Sequence, residues 1–351
     1  MKTYGFGIIG CGMIADVHAA AIAELDLGQL AAVSSQHSEN VRRLADRYHV
    51  DGYSDYREML KRDDLDIVCV CTPSGVHLEA AVAATEAGKH VIVEKPLEIT
   101  LDRCDQIIQA CDEAGVRLCA IFNSRFVEAS RLLKEAIHSG RFGTLTLGDA
   151  YVKWNRSQAY YDSGGWRGTW KLDGGGSLMN QSIHAIDLLQ YFMGPVKAVQ
   201  AFTSTLAHER IEVEDVAVAA LRFENGALGI IEGSTAVYPG FLKRIEISGS
   251  RGTVILEEED ITTWEFHPEL PEDAEIRRKY AVRQSGGGGA ADPREIKHAN
   301  HQRQMSDFIH SINSDTPHLV DGREGRKAVE IILAIYKSSR EGRIVHLPLE
   351  Q

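Results

Sequence analysis

The chain has 351 residues, 44% of them apolar and 25% charged, with a formal net charge of −12. That length and apolar content suit two globular domains with real cores. The acidic balance, without any clustered Lys and Arg tract, excludes a nucleic-acid partner, and no apolar run nears the roughly 20 residues needed to span a bilayer. Met1-Lys2-Thr3-Tyr4 runs straight into a stretch of strand length, so no secretory leader is expected. The expected location is cytoplasmic. The six cysteines, Cys11, Cys69, Cys71, Cys104, Cys111 and Cys119, all fall in the first third and read as buried free thiols of a reducing compartment.

In chain order, Tyr4–Ile9 predicts a strand and Met13–Leu25 a helix. Gln29–Ser34 predicts a strand, Glu39–Tyr48 a helix and Ile67–Cys71 a strand. Val76–Ala87 follows as a helix, His90–Val93 as a strand, Leu101–Ala114 as a helix and Arg117–Phe122 as a strand. Apolar strands alternating with amphipathic helices mean βαβ units and a parallel sheet covered on both faces. Right-handed crossovers make it doubly wound.

The pattern changes after residue 123. Val127–His138 predicts a helix. Longer, alternating strands follow at Thr144–Trp154, Ala198–Thr205, Val216–Phe223, Ala227–Glu232 and Phe241–Ser248. Glu224-Asn225-Gly226 and Ser248-Gly249-Ser250-Arg251-Gly252 are turn signals. Gly286–Gly289 predicts a loop, and His301–Asn313 and Gly322–Arg340 predict helices. The fold class is α/β: an N-terminal doubly wound domain over 1–123, then an α+β domain over 124–351 with an open, mainly antiparallel sheet. The last helices pack beside that sheet or return to the first domain.

The first strand-to-helix turn carries Gly10-Cys11-Gly12-Met13-Ile14-Ala15, the Gly-x-Gly-x-x-Ala form of the Rossmann dinucleotide fingerprint. Gly10 permits the tight turn, Gly12 lets a pyrophosphate approach the backbone, and the N–H groups around Met13 and Ile14 face the phosphates. The second strand ends in Ser34-Ser35-Gln36-His37 where an acidic residue would bind the ribose hydroxyls. Hydroxyls tolerate a 2′-phosphate, and Arg42 and Arg43 follow on the next helix. The expected cofactor is NAD(P)(H), with NADP(H) slightly favoured over an NAD site that relies on other contacts.

Two further strand ends carry polar groups, Thr72-Pro73 with His77, and Glu94-Lys95-Pro96. Ligands bind open α/β sheets at the carboxyl ends of their strands. A Lys beside a cationic nicotinamide is biased towards its neutral form and suits proton transfer. Thr72, Pro73, His77, Glu94 and Lys95 join Gly10, Gly12, Met13, Ile14, Ser34, Ser35 and His37 as candidate cofactor contacts, with Asn123, Trp166 and Arg167 completing the set. In the second half, Gly174-Gly175-Gly176 opens a helix near Ser177 that places Asn180, His184 and Asp187 on one face. A His with an Asp three residues on suggests a general base with its tautomer held by the carboxylate; the alternative is a polar network that only anchors the helix. Arg156, Tyr160, Trp166, Arg167, Trp170 and Asp173 form an aromatic and polar segment suited to the faces and hydroxyls of a sugar ring. No set of residues reads as a metal site, and His298 and His301 are expected at a loop and helix start.

Together these motifs resemble the Gfo/Idh/MocA family of oxidoreductases, in the family's order and over much of the chain. The resemblance implies a Rossmann domain plus an open-sheet domain that forms homodimers or homotetramers, and a sugar substrate. It gives Lys95 and His184 the family's catalytic positions. Asn180 stands where inositol dehydrogenases carry aspartate, which points towards the branch acting on pyranosides or nucleotide sugars at C3. The expected reaction is hydride transfer between such a secondary hydroxyl and the nicotinamide. His184, supported by Asp187, takes the proton, and Lys95 stabilises the same oxygen. Lys95, Arg156, Tyr160, Trp170, Asp173, Asn180 and His184 are the expected substrate contacts. The alternatives are a redox-assisted glycoside hydrolase or lyase that recycles bound NAD, and a non-catalytic cofactor sensor.

Overall fold

The computed structural model describes residues 2–281 and 297–350. The expected Gly286–Gly289 loop lies outside the described residues. Residues 1–123, 171–174 and 296–329 make one compact unit, and 124–170, 175–295 and 330–351 make another.

The first unit begins with β1 (Tyr4–Ile9), α1 (Met13–Ala23), β2 (Gly28–Ser34) and α2 (Ser38–Tyr48). Then come β3 (Asp51–Tyr53), α3 (Tyr56–Leu60), β4 (Ile67–Val70), α4 (His77–Glu86), β5 (His90–Val93), α5 (Leu101–Ala114) and β6 (Leu118–Ala120). The strands form one parallel sheet in the order β3-β2-β1-β4-β5-β6. Reversal of the strand order between β1 and β4 leaves a crevice at the carboxyl ends, where such sheets bind ligands. The continuous apolar strands are buried on both faces, with Ile8, Ile67, Cys69 and Ile92 inside one core cluster. Helix α5 shows why its boundaries were legible. The Thr100 hydroxyl accepts from Arg103 N–H at its start, and Gly115 at φ +66° ends it. The short β3 and α3 had no sequence signal, because three and five residues are too few to show a period. All six cysteines are buried and free.

The second unit contains α6 (Glu128–His138), β7 (Leu145–Lys153), α7 (Gln158–Asp162), a π-helical turn at Ser177–Ser182 and α8 (Ile183–Met193). It continues with β8 (Val196–Ser204), β9 (Val216–Phe223), β10 (Leu228–Ser234), β11 (Arg244–Gly249), β12 (Gly252–Glu257), β13 (Asp260–Phe266) and α9 (Pro271–Lys279). Helix α10 (Ala299–Ser314) belongs to the first unit, α11 (Gly322–Glu341) contributes to both, and β14 (Val345–His346) to the second. The eight-stranded sheet runs β13-β12-β11-β7-β10-β9-β8-β14. Every pairing is antiparallel except β7 with β10. The two turn signals join β9 to β10, with Gly226 at φ +90°, and β11 to β12. Strands β12 and β13 went unread because the acidic run Glu257-Glu258-Glu259-Asp260 sits in their hairpin and masks the alternation. One face of the sheet is covered by α8, which lies against β7 and β11. The other exposes Leu147, Phe202, Val218, Leu228 and Ile230. Among the described residues no helix is long and apolar enough to cross a membrane.

Candidate active site

The glycine turn is built as its sequence requires. Gly10 has φ +97°, and a Cβ there would lie 2.5 Å from the Cys71 carbonyl oxygen. Gly10 N–H donates to Ser34 O at 2.7 Å, which fixes the turn against β2. A Cβ on Gly12 would meet nothing within 4 Å, and no side chain caps the start of α1 there. An uncapped helix start beside a position open on its outer side fits a pyrophosphate. Ser35 Oγ accepts from His37 N–H at 3.3 Å, and Ser34 is buried at the strand end. Arg43 donates to Asp16 at 2.6 Å and to the Cys11 carbonyl oxygen of the glycine turn at 3.5 Å.

At the ends of β4 and β5 two of the expected cofactor contacts have internal partners. His77 was expected to touch the cofactor, but it is buried and its ring is engaged internally. Nδ1 lies 3.0 Å from the Pro96 carbonyl oxygen and Nε2 lies 2.9 Å from that of Thr72. Glu94 is likewise internal. Its Oε1 is 2.7 Å from His18 Nε2 and 3.5 Å from His301 Nε2, and its Oε2 accepts from Lys95 N–H at 3.0 Å. Burial alone would push Glu94 up, but the bonds from His18 and His301 win and hold it well below the usual carboxylate range. Asn123 is also turned to this network, its amide donating to His301 Nδ1 at 3.2 Å. The ligand atoms of His18, Glu94 and His301 lie within 4.8 Å of one another, a grouping that could in principle hold a metal ion. The Asn123 contact leaves the proton of His301 on Nε2, facing the carboxylate, so this is a hydrogen-bonded cluster in the structure. His298 precedes α10 and pairs with Glu24 at 2.9 Å. Thr72, Pro73 and Lys95 are half-buried at the strand ends.

In the second unit, the expected regular helix from Ser177 starts instead as a π-turn over Ser177–Ser182. Such wide turns are rare and cluster at functional sites. The turn shifts the register before α8, so Asn180, His184 and Asp187 do not repeat at ideal α spacing. Asn180 and His184 are half-buried, while Asp187 is fully buried. Both Asp187 oxygens face Arg125, whose Nε and Nη2 donate at 2.9 and 2.7 Å. The carboxylate expected to hold His184 therefore anchors α8 through this arginine.

Glu214, unread in the sequence, organises the helix start. Its carboxylate accepts from Gly176 N–H (3.0 Å), Leu178 N–H (2.8 Å), Ser177 Oγ (3.3 Å) and Tyr336 OH (3.0 Å). Burial dominates these bonds and pushes the carboxyl up to about 7. A Cβ on Gly176 would sit 1.9 Å from the Glu214 carbonyl oxygen, which accounts for the glycine. The only sequence signal was a pair of acids, Glu214-Asp215, leading into an apolar strand.

The aromatic segment is ordered around two arginines. Arg156 is buried; it donates to Gln181 Oε1 at 2.9 Å and lies over Trp154 and Tyr160 at 5.0 and 5.6 Å. Gln181 donates in turn to Tyr160 OH and to Asn180 Oδ1, both at 2.9 Å. Arg167 donates to Ser163 O at 2.8 Å and covers Tyr160 and Trp166 at 5.0 and 4.8 Å. Trp170 is 43% exposed and meets Tyr336 edge-on at 5.2 Å. Arg156 is thus linked to Asn180 through Gln181 and packs on the Tyr160 ring. Asp173 is buried in the short 171–174 stretch that belongs to the first unit, where Leu172 O accepts from Gly75 N–H at 2.9 Å.

Residues 4–122 match the model of the oxidoreductase family with an NAD-binding Rossmann fold, and residues 130–255 match the GFO/IDH/MocA C-terminal domain. The chain is 31% identical to the myo-inositol 2-dehydrogenase of Thermotoga maritima, over 97% of this chain and 98% of that one. It is 27% identical to the D-glucoside 3-dehydrogenase of Escherichia coli, over 97% and 96%. The crystal structure of the WlbA dehydrogenase from Bordetella pertussis, in complex with NADH and UDP-GlcNAcA, superposes with a TM-score of 0.88 at 34% identity, covering 99% of this chain and 100% of that one. The glycine turn, both domain matches and the full-length relative converge: the chain belongs to the Gfo/Idh/MocA family and is an NAD-binding oxidoreductase.

Proposed function

We propose that this oxidoreductase moves a hydride between the nicotinamide and a secondary hydroxyl carbon of a pyranose, glycoside or nucleotide sugar, with C3 as the favoured position. The observation that carries this reading is the setting of His184, half-buried just after a π-turn whose start is held by the Glu214 carboxylate and whose following helix is anchored by Arg125 and Asp187. Such support suits a side chain that must keep one orientation. Beside it, Asn180, Gln181 and Tyr160 form a linked row of hydrogen-bonding groups of the kind that read sugar hydroxyls. Relatives acting on an inositol and on a glucoside agree with a cyclic polyol substrate. Asn180, in place of the aspartate of inositol dehydrogenases, favours the sugar.

The bound nicotinamide supplies the hydride acceptor. His184 takes the hydroxyl proton as general base. Lys95 donates a hydrogen bond to the same oxygen as charge develops on it. Asn180, Tyr160 and Trp170 hold the ring, while Trp166 and Arg167 contribute to the cofactor. NAD(H) binds, and Ser35, in place of a carboxylate, lets NADP(H) bind too. A second copy of the chain covers the apolar outer face of the eight-stranded sheet, so that the working form is a homodimer or homotetramer.

The test is nicotinamide reduction followed by absorbance, with free pyranoses, glycosides, nucleotide sugars and inositols, each with NAD and NADP. Sustained reduction with one pyranose class is expected. Reduction by inositols alone overturns the substrate class. Release of an aglycone without net reduction replaces the dehydrogenase with redox-assisted cleavage.

A further inference from the structure

Three histidines from three separate helices converge on four consecutive residues. His18 lies in α1, His77 opens α4 and His301 sits in the first turn of α10. Their exposures are 0, 1 and 3%, so none presents a ring to solvent. His18 and His301 meet the carboxylate of Glu94, at 2.7 and 3.5 Å. His77 meets the carbonyl oxygens of Pro96 and Leu97 at 3.0 and 3.3 Å, and reaches back to Thr72 O at 2.9 Å.

Lys95 is the residue between these two sets of contacts. On its N-terminal side, its own N–H donates to Glu94 Oε2 at 3.0 Å. On its C-terminal side, the next carbonyl is bound by His77. The backbone is therefore held on both sides of the Lys95 Cα, by α1 and α10 through Glu94 and by α4 through His77. Three imidazoles and a carboxylate are costly to bury for packing alone, since apolar side chains would fill the space without desolvation. They do supply direction, which apolar contacts lack.

We propose that His18, His77 and His301 form a clamp on residues 94–97 that sets where the Lys95 side chain leaves the sheet. They are positioning residues, acting through Lys95, and the inference rests on the reading that Lys95 touches the substrate oxygen. Placing a reacting group about 1 Å off costs on the order of a hundredfold in rate, so a loosened clamp should lower turnover while sparing substrate affinity.

The experiment uses the full chain with His301→Gln, His77→Leu and His77→Gln, with and without Lys95→Ala. Amide hydrogen exchange of the 94–99 segment is read first and needs no substrate. It should be about tenfold faster in His301→Gln and His77→Leu, with exchange in the distant β8–β9 pair unchanged. Turnover is then measured with methyl β-D-glucopyranoside or whichever panel sugar the chain oxidises. Each single clamp variant should lose about ten- to a hundredfold in kcat with KM within about threefold. His77→Gln, which keeps one N–H donor, should recover part of that loss. In the Lys95→Ala background the clamp substitutions should cost nothing further, because their effect passes through the missing side chain. Unchanged exchange at 94–99, or losses that add to that of Lys95→Ala, overturns the clamp. If His77→Leu fails to fold, the two glutamine variants carry the same comparison. If Lys95→Ala leaves turnover intact, the catalytic reading of Lys95 falls, and the exchange result alone decides the clamp.

Discussion

Arg125 grips Asp187 with two parallel hydrogen bonds, at 2.9 and 2.7 Å, between side chains that are 1 and 0% exposed. The pair joins the start of the second unit to the helix that carries His184. Bidentate geometry of this kind is among the strongest polar contacts a fold can make. Removing one partner leaves the other charge buried and uncompensated. Asp187→Asn or Arg125→Met should therefore destabilise by about 3–5 kcal/mol, while replacing both with apolar residues should restore much of the loss. Urea denaturation of the two singles and the double measures this, and additive losses would contradict it.

The general-base assignment has its own signature. His184→Ala should lower kcat by roughly a hundredfold or more, with NADH affinity, read by fluorescence titration, within about twofold. Weaker NADH binding in this variant would move His184 from the substrate to the cofactor.

Glu214 makes stability depend on pH. Its carboxyl titrates ordinarily at 4.5 and is pushed up to about 7 in the fold. Between those values the folded chain holds a proton that the unfolded chain has released. The contribution to stability is thus full below about pH 4.5 and is lost as pH rises through 7, on the order of 3 kcal/mol in total. Glu214→Gln removes this dependence. The wild type should therefore lose stability relative to Glu214→Gln between pH 5 and 8. A wild-type-minus-variant difference that is flat across that window would refute the assignment.

Cofactor choice turns on the end of β2. Ser35→Asp places a carboxylate where a 2′-phosphate would lie. It should lower kcat/KM for NADP by about ten- to a hundredfold while leaving NAD within a few fold. Equal losses with both cofactors would mean that Ser35 does not face the ribose.

The outer face of the open sheet carries Phe202, 76% exposed, opposite Val218, with Leu228 opposite Leu147 on the neighbouring pair. Exposed apolar patches of this kind mark interfaces. Phe202→Lys with Ile230→Lys should convert the proposed oligomer to monomer in sedimentation velocity without changing the far-UV circular dichroism spectrum. A wild type that sediments as a monomer would remove the proposed assembly.

Much of this protein is decided locally. Alternation of apolar runs and amphipathic helices specifies the parallel sheet, because a strand buried on both faces has no polar position to spare. Gly10 announces the dinucleotide turn, since at φ +97° against the Cys71 carbonyl only glycine serves there, and Gly12 leaves its outer side open. Lys95 and His184 are legible because each sits in a distinctive short motif. The partners of those groups were out of reach. Arg125 and Asp187 are 62 residues apart, and Glu94 and His301 are 207 apart. No periodicity links such pairs; only the closed fold brings them together. The π-turn at Ser177–Ser182 was equally hidden, because it depends on a carboxylate arriving from Glu214 and not on the helix's own residues. Sequence by itself determined the longer periodic elements, the cofactor turn and the candidate side chains for the chemistry. Tertiary structure alone decided what holds them, because burial and hydrogen-bond direction exist only once distant segments meet.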